Sequence, residues 1–363
     1  MPERPQRVTV LELFFDLVFV FTITQLTAVV YHHPGPRSVG QATLMLGVIW
    51  WMYGGYAWMT NAVSADTAKR RLVLLAGMTA FFVLALAVPH AFSGSGLAFG
   101  LAYLVVVSVH TSLFMRSSVA SVVQAIVRLA PWNVSSALLV VAGGALGGAA
   151  QYALWTSAFL LEWLTPVIRP NRGFDIGAAH FVERHGLVVI VAIGESVVAI
   201  GIGSSHLPVD GGLVVAAALG LALSACLWWT YFGGDEEKAE RALAAMPPVP
   251  RASAALRGFG YWHIPMLLGI VTIAAAERRG FSHPFASLDW RVAGLLGGGV
   301  AIFLAGNALF RGELAIGRGR SEAIAALAAL ATMPLGALVS PVAQTAALVL
   351  VLLASFRSNE ERA

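Results

Sequence analysis

The sequence has few charged residues and almost no cysteine. Asp, Glu, Lys and Arg make up 12% of its 363 residues, whereas hydrophobic residues make up 58%. Soluble domains carry about 25% charged residues, so this composition excludes an ordinary soluble domain and predicts a membrane protein. The single cysteine, Cys226, excludes a disulfide within the chain. We attribute the net charge of +4 to arginines flanking the membrane and expect no nucleic-acid partner.

Patterns that would indicate other protein classes are also missing. Alternating ten-residue segments typical of membrane β-barrels are absent, so the spans should be helical. The chain has no P-loop, no dinucleotide-binding fingerprint and no nucleophile elbow in suitable context. We therefore expect no cofactor and no metal, and we favour a function other than catalysis. The first apolar run contains Glu12 and Asp16 and lacks a cleavage site, so we interpret it as a retained transmembrane helix.

Apolar runs of about 17 to 24 residues recur along the chain, long enough to cross a hydrocarbon core as helices. We predict an all-α integral membrane protein with about twelve transmembrane helices. The predicted spans are residues 8–31, 39–62, 71–91, 94–115, 132–149, 151–169, 180–204, 211–233, 256–277, 290–310, 323–338 and 341–356. Residues 116–131 are predicted to be an interfacial connection, and the charged run Asp235 to Arg241 a solvated cytoplasmic loop.

The distribution of basic residues predicts the orientation. Alternating the twelve spans leaves four of the 23 Lys and Arg residues in the predicted outer segments, namely Arg37, Arg278, Arg279 and Arg291. Nearly all the others fall in segments on the opposite side, which the positive-inside rule assigns to the cytoplasm. Both termini are therefore predicted to be cytoplasmic.

Short motifs recur in the same order in the two halves of the chain. Glu12 corresponds to Glu183, and the tryptophan pair Trp50-Trp51 corresponds to Trp228-Trp229. We predict a duplication into two parallel six-helix repeats, with the first helices of the repeats facing one another across a pseudo-twofold axis. The predicted repeats are residues 1–170 and 171–363. The four tryptophans are predicted to form an interfacial aromatic belt.

Two carboxylates in the first predicted span are the leading candidates for a functional site. Glu12 and Asp16 lie one helical turn apart, with side chains about 6 Å apart on one face. Two such groups cannot both ionise cheaply at low dielectric, so either one keeps a proton or a cation lies between them. Both outcomes suit a proton- or cation-coupled site. Alternatively, the carboxylates pair with Arg184 or Arg7 and fix the packing of the helices.

A second group of ionisable residues opens the seventh predicted span. It comprises His180, Glu183, Arg184 and His185. An imidazole beside a carboxylate relays protons or contacts a substrate, and an arginine that bridges to Glu12 or Asp16 has a structural role; both interpretations are open. Metal binding is disfavoured because Arg184 repels a cation. Twelve residues further on, Glu195 is predicted to lie near the middle of the membrane and to bind an ion or substrate.

The charged motifs resemble those of a known family. Glu12 to Val20 reads ELFFDLVFV, His180 to Leu187 reads HFVERHGL, and Gly194-Glu195-Ser196 follows. These strings resemble the bacterial low temperature requirement protein A (LtrA) family, and the resemblance runs through the whole chain. It implies a polytopic protein of the bacterial cell (inner) membrane and supplies no activity.

These observations lead to one preferred function and two alternatives. We predict a secondary transporter in which carboxylates between the first helices of the two repeats bind a proton or cation. A cation channel lined by the same carboxylates is one alternative. The other is an intramembrane enzyme that uses the Glu, His and Arg cluster for acid–base chemistry on a lipid. The expected partners are membrane lipids and a small solute or ion, and a homo-oligomer is compatible with the sequence.

Overall fold

The computed structural model describes residues 8–62, 67–168, 176–317 and 319–360. Within these ranges it is helical and contains no β-strand, which confirms the predicted class. The α-helices are α1 (Val10–His32), α2 (Pro36–Ala62), α3 (Ala68–Ala87), α4 (Gly96–Phe114), α5 (Ala120–Leu146), α6 (Gly148–Ile168), α7 (Ala178–Ser204), α8 (Gly211–Phe232), α9 (Asp235–Ala245), α10 (Pro248–Ala255), α11 (His263–Gly280), α12 (Trp290–Glu313), α13 (Arg320–Ala331), α14 (Met333–Leu338) and α15 (Pro341–Glu360).

Several of these helices have the length and hydropathy of membrane spans. In the ranges above, nine helical segments are long and apolar enough to cross a membrane, and Pro341–Arg357 is a shorter apolar helix. Helices α2 and α6 have 27 and 21 residues but lie outside the nine. The protein is therefore a multi-pass membrane protein. The count of twelve spans, the parallel repeat and the cytoplasmic termini stay predictions.

Two predicted connections are in fact helical. Helix α5 begins at Ala120 and continues past Pro131, so the predicted interfacial connection over residues 116–131 is wrong for most of its length. The run from Asp235 to Arg241 was also wrongly predicted to be a solvated loop, because it forms most of α9. Acidic residues in the first turn of α9 favour this helix through its dipole, and Arg311 covers the buried Asp235 at 3.3 Å.

The chain forms two compact units. The first comprises Met1–Gln25, Thr43–Leu187 and Leu243–Leu256. The second comprises Leu26–Ala42, Val188–Ala242 and Arg257–Ala363. Neither unit is a contiguous half of the chain, and α1 and α7 each contribute residues to both units. The division into repeats at residue 170 stays a prediction.

Aromatic rings fill the interior of the first unit. Phe15 of α1 stacks on Tyr56 at 5.1 Å between centroids and meets Phe81 of α3 edge-on at 5.1 Å. Trp50 is buried and stacks on Tyr53 at 4.9 Å. Trp50 therefore does not belong to the predicted interfacial belt, because its ring packs against other aromatic rings inside the unit. Trp228 and Trp229 of the second unit are exposed.

The second unit contains its own aromatic cluster, built around His263 at the start of α11. The Nε2 atom of His263 lies 2.8 Å from the hydroxyl of Tyr231, and its Nδ1 atom lies 3.0 Å from the carbonyl oxygen of Gly258. Phe259 and Phe310 pack on the same ring at 5.0 and 5.3 Å. Since both ring nitrogens have partners and the ring is buried, this histidine has a packing role.

Candidate functional site

The candidate site is a charged cluster inside the first unit. It consists of Glu12 and Asp16 of α1 and of His180 and Arg184 of α7. The backbone N–H and the hydroxyl of Thr9 donate to Oε2 of Glu12 at 2.8 and 2.9 Å. The backbone N–H of Glu12 in turn lies 3.3 Å from the Thr9 hydroxyl oxygen. This reciprocal arrangement is the capping box of a Thr-x-x-Glu sequence, and it satisfies donors that a helix start leaves free. Oε2 of Glu12 is thus part of the N-terminal cap of α1.

Arg184 of α7 connects the two carboxylates of α1. Its Nη1 donates to Oε1 of Glu12 at 3.0 Å, and its Nη2 donates to Oδ1 of Asp16 at 2.8 Å. Nη1 also donates to the hydroxyl of Thr60 at 3.1 Å. The side chain of Arg184 is only 1% exposed. The predicted alternative in which Arg184 pairs with the carboxylates therefore describes the contacts in this structure.

Two aromatic rings enclose the guanidinium group of Arg184. The Cζ atom lies 5.8 Å from the ring centroids of both Phe15 and Tyr53. The Tyr53 hydroxyl donates to Oδ1 of Asp16 at 2.9 Å. A guanidinium held over aromatic faces and away from solvent interacts more strongly with its charged neighbours than it would in water. The ion pairs of Arg184 with Glu12 and Asp16 are therefore stronger here than they would be on a solvent-exposed surface.

The hydrogen bonds of Asn61 determine the tautomer of His180. Oδ1 of Asn61 accepts from the backbone N–H of Gly177 at 3.0 Å, so the amide nitrogen points to the other side. That nitrogen lies 3.2 Å from Nδ1 of His180, which must accept. The proton of a neutral imidazole then sits on Nε2, 3.3 Å from Oε2 of Glu12. His180 acts here as a neutral donor to Glu12.

With His180 neutral, the charges of the cluster do not cancel. Glu12 and Asp16 carry two negative charges when ionised, and Arg184 carries one positive charge. Two buried atoms of this group have no hydrogen-bond partner among the described residues: Oδ2 of Asp16 and Nε of Arg184. Within the described residues one negative charge is therefore uncompensated, and one oxygen of Asp16 has no hydrogen-bond partner. Arg7, the other predicted partner of the carboxylates, lies outside the described residues.

The other predicted site residues lie outside this cluster. Glu183 is partly exposed and accepts a long hydrogen bond, 3.4 Å, from the backbone of Val8. His185 points its Nδ1 at the carbonyl oxygen of Phe181 at 2.8 Å, so it is held by its own helix. Glu195 is buried in the second unit. The shared pocket predicted for Glu195 with the carboxylates of α1 stays a prediction.

A second buried carboxyl group lies elsewhere in the first unit. Oε1 of Glu162 in α6 accepts from the hydroxyl groups of Tyr103 and Ser136 at 2.5 and 2.6 Å. Its Oε2 atom is buried and has no hydrogen-bond partner in the described part of the chain. The sequence shows Glu162 within an apolar run but does not show its partners, because Tyr103 and Ser136 come from two other helices.

Four side chains that support the site were not predicted. Tyr53, Thr60 and Asn61 of α2 and Thr9 before α1 each hydrogen-bond to the charged cluster. Thr9 had a signal in the sequence, the Thr-x-x-Glu spacing. In the described residues, no three His, Cys, Asp or Glu side chains come together as a metal site.

Comparison with known proteins finds similarity along nearly the whole chain. Residues 7–356 match the family described as Bacterial low temperature requirement A protein (LtrA). The uncharacterized protein RA0937 of Rhizobium meliloti (strain 1021) is 30% identical over 311 residues, which cover 82% of this chain and 75% of that relative. The family match includes both segments that build the charged cluster.

Proposed function

The chain belongs to the bacterial low temperature requirement A (LtrA) family, and from the charged cluster that its first unit holds, we propose that it is a secondary transporter coupled to a proton bound at Asp16. The observation that supports this proposal is that, among the described residues, Oδ2 of Asp16 has no hydrogen-bond partner and the ion network beside it has one excess negative charge. The transported partner is a small solute or ion.

The excess charge is costly in a membrane span. Insertion scales assign about 2.5–3.5 kcal/mol to a charged side chain at the centre of a membrane helix. Glu12 and Arg184 neutralise one another, which leaves Asp16 as the uncompensated group. Binding one proton removes that cost, whereas a multivalent cation would bring new charge close to Arg184. The cluster is thus suited to a single positive charge of small size.

Asp16 is a better proton acceptor than Glu12. Glu12 already accepts from Thr9, His180 and Arg184, and these donors all favour its ionised form. Asp16 accepts from Tyr53 and Arg184, but both bonds fall on Oδ1, so Oδ2 is available. We therefore assign the mobile proton to Oδ2 of Asp16 and a constant negative charge to Glu12.

Protonation of Asp16 changes the contact between α1 and α7. When Asp16 is ionised, Arg184 holds α7 against both carboxylates. When Asp16 is protonated, the bond from Nη2 is no longer an ion pair and weakens, and Nη2 and the free Nε become donors for an anionic group of the solute. A coupled transporter needs a contact that changes with protonation, as this one between α1 and α7 does. The reason is that a ligand shifts a conformational equilibrium only by interacting differently with the two conformations of the protein.

Proteoliposomes test this function. Purified protein is reconstituted with a pH-sensitive dye inside, and proton entry is measured under an imposed potassium diffusion potential with a panel of small anionic and neutral solutes. We expect solute-dependent proton entry that Asp16→Asn abolishes and Glu183→Gln retains, since Glu183 lies outside the cluster. Proton entry unchanged in Asp16→Asn would contradict the proposal. Single-channel currents would instead identify a cation channel, and lipid turnover without a gradient would identify an enzyme.

A further inference from the structure

Glu277 is a buried carboxyl group that has no counter-ion within the described part of the chain. It lies in the last turn of α11, in the second unit, and is only 1% exposed. Neither Oε1 nor Oε2 has a hydrogen-bond partner among the described residues. Ser196 of α7 places its hydroxyl beside this carboxyl group, and that hydroxyl is also buried without a hydrogen bond. The Ser196 hydroxyl is thus a polar neighbour of the buried carboxyl group.

The two arginines that follow Glu277 in the chain are engaged elsewhere. The guanidinium carbon of Arg278 lies 4.3 Å from the ring centroid of Tyr31. Arg279 is also near that ring, at 5.5 Å, and its Nε donates to the carbonyl oxygen of Tyr31 at 3.0 Å. Both guanidinium groups therefore lie near the ring of Tyr31, close to the C-terminal end of α1. The nearest positive charges along the sequence do not pair with Glu277.

An ionised Glu277 would be unfavourable for two reasons. A buried carboxylate without a counter-ion loses its hydration and gains nothing in return, which costs several kcal/mol. The carboxyl group also lies at the C-terminal end of α11, where the helix dipole disfavours negative charge. A hard metal cation would need about six oxygen ligands, and the described residues bring no group of three His, Cys, Asp or Glu side chains together. A proton needs one oxygen.

We infer that Glu277 is a second proton-binding site, whose carboxyl group carries an exchangeable proton and has Ser196 as its hydroxyl neighbour. This site lies beyond the proposed function, because it belongs to the second unit and needs neither Asp16 nor a solute. The predicted topology assigns the end of α11 to the outer side of the membrane, where bulk water supplies the proton.

Infrared difference spectroscopy tests the inference directly. The spectrum of Glu277→Gln is subtracted from that of the unmodified protein, both purified in detergent and folded. We expect the difference to contain the C=O stretching band of a carboxylic acid, and this band should shift to lower frequency after transfer to D₂O. Carboxylate stretching bands in the difference would overturn the inference. An acid band that keeps its frequency in D₂O would show a sealed proton and would rule out an exchange site.

A matched control comes from Glu313, which ends α12 as Glu277 nearly ends α11. Glu313 pairs with Nε of Arg257 at 2.8 Å, so Glu313→Gln should remove carboxylate bands and no acid band. Glu277→Asp should move the acid band without removing it, which keeps the assignment testable if the glutamine variant folds poorly. These spectra require no transport, so the inference and the proposed function can fail separately.

Discussion

The charge balance of the cluster predicts an order of stability for three single variants. Arg184→Gln leaves Glu12 and Asp16 as two buried negative charges with no arginine or lysine beside them in the described part of the chain. Asp16→Asn leaves the neutral pair of Glu12 and Arg184, and Glu12→Gln leaves the neutral pair of Asp16 and Arg184. We expect Arg184→Gln to destabilise the protein most, by about 3–5 kcal/mol, which is the cost of removing one partner of a buried ion pair.

The two carboxylate variants should differ because Glu12 has a second role. Glu12→Gln weakens the capping box with Thr9 and the bond from His180, for a cost of about 1–2 kcal/mol. Asp16→Asn can keep the acceptor oxygen that serves Tyr53 and Arg184, and it places its amide where Oδ2 has no partner. It should therefore cost least, about 1 kcal/mol for one unsatisfied donor.

Thermal unfolding in detergent measures this order. Cys226 is the single cysteine of the chain and is buried, so a thiol-reactive fluorophore reports its exposure as the protein unfolds. The apparent Tm should fall in the order Asp16→Asn, Glu12→Gln, Arg184→Gln, compared at one heating rate because such unfolding is usually irreversible. The double variant Asp16→Asn with Arg184→Gln should be more stable than Arg184→Gln alone, since it buries one charge fewer.

Two results would refute this reasoning. An Asp16→Asn variant as unstable as Arg184→Gln would mean that Asp16 is a structural ion-pair partner and not a proton acceptor. An Arg184→Gln variant with an unchanged apparent Tm would mean that the guanidinium does not compensate the carboxylates at all. Either outcome would remove the charge argument on which the proposed function depends.

Further predictions concern other parts of the chain. A Cβ atom at Gly144 would lie 2.1 Å from the backbone of α4, so Gly144→Ala should lower the apparent Tm, with a cost of about 1–3 kcal/mol; Gly298→Ala, where a Cβ meets open space, is the control and should not. Glu162→Leu should lower the apparent Tm more than Glu162→Gln, because it leaves the buried hydroxyl groups of Tyr103 and Ser136 without their acceptor. Equal decreases in the apparent Tm would argue against those hydrogen bonds. Glu195→Gln should reduce flux in the proteoliposome assay, and undiminished flux would remove Glu195 from the site. A reporter fused after Ala363 should be active only in the cytoplasm, and activity outside would reverse the predicted topology.

The sequence alone determined the class of the protein and indicated ionisable residues of the candidate site. Long apolar runs predicted a helical membrane protein because a backbone in lipid must satisfy its own hydrogen bonds. Glu12, Asp16, His180 and Arg184 were recognisable because ionisable groups in such runs are costly and rare. Residues 116–131, in contrast, were wrongly predicted to be an interfacial connection: Arg116 and Arg128 suggested a break between spans, yet α5 begins at Ala120 and continues through Pro131.

The tertiary structure decided which of these groups meet. Glu183 and Arg184 are adjacent in the sequence, but successive residues of a helix point about 100° apart, so only Arg184 reaches α1. In a membrane protein most faces of a helix are apolar, and the sequence therefore does not reveal which face packs inward. Tyr53, Thr60 and Asn61 reach the charges from α2, a contact between distant segments that depends on packing alone. The excess of one negative charge among the described residues could be identified only from these contacts.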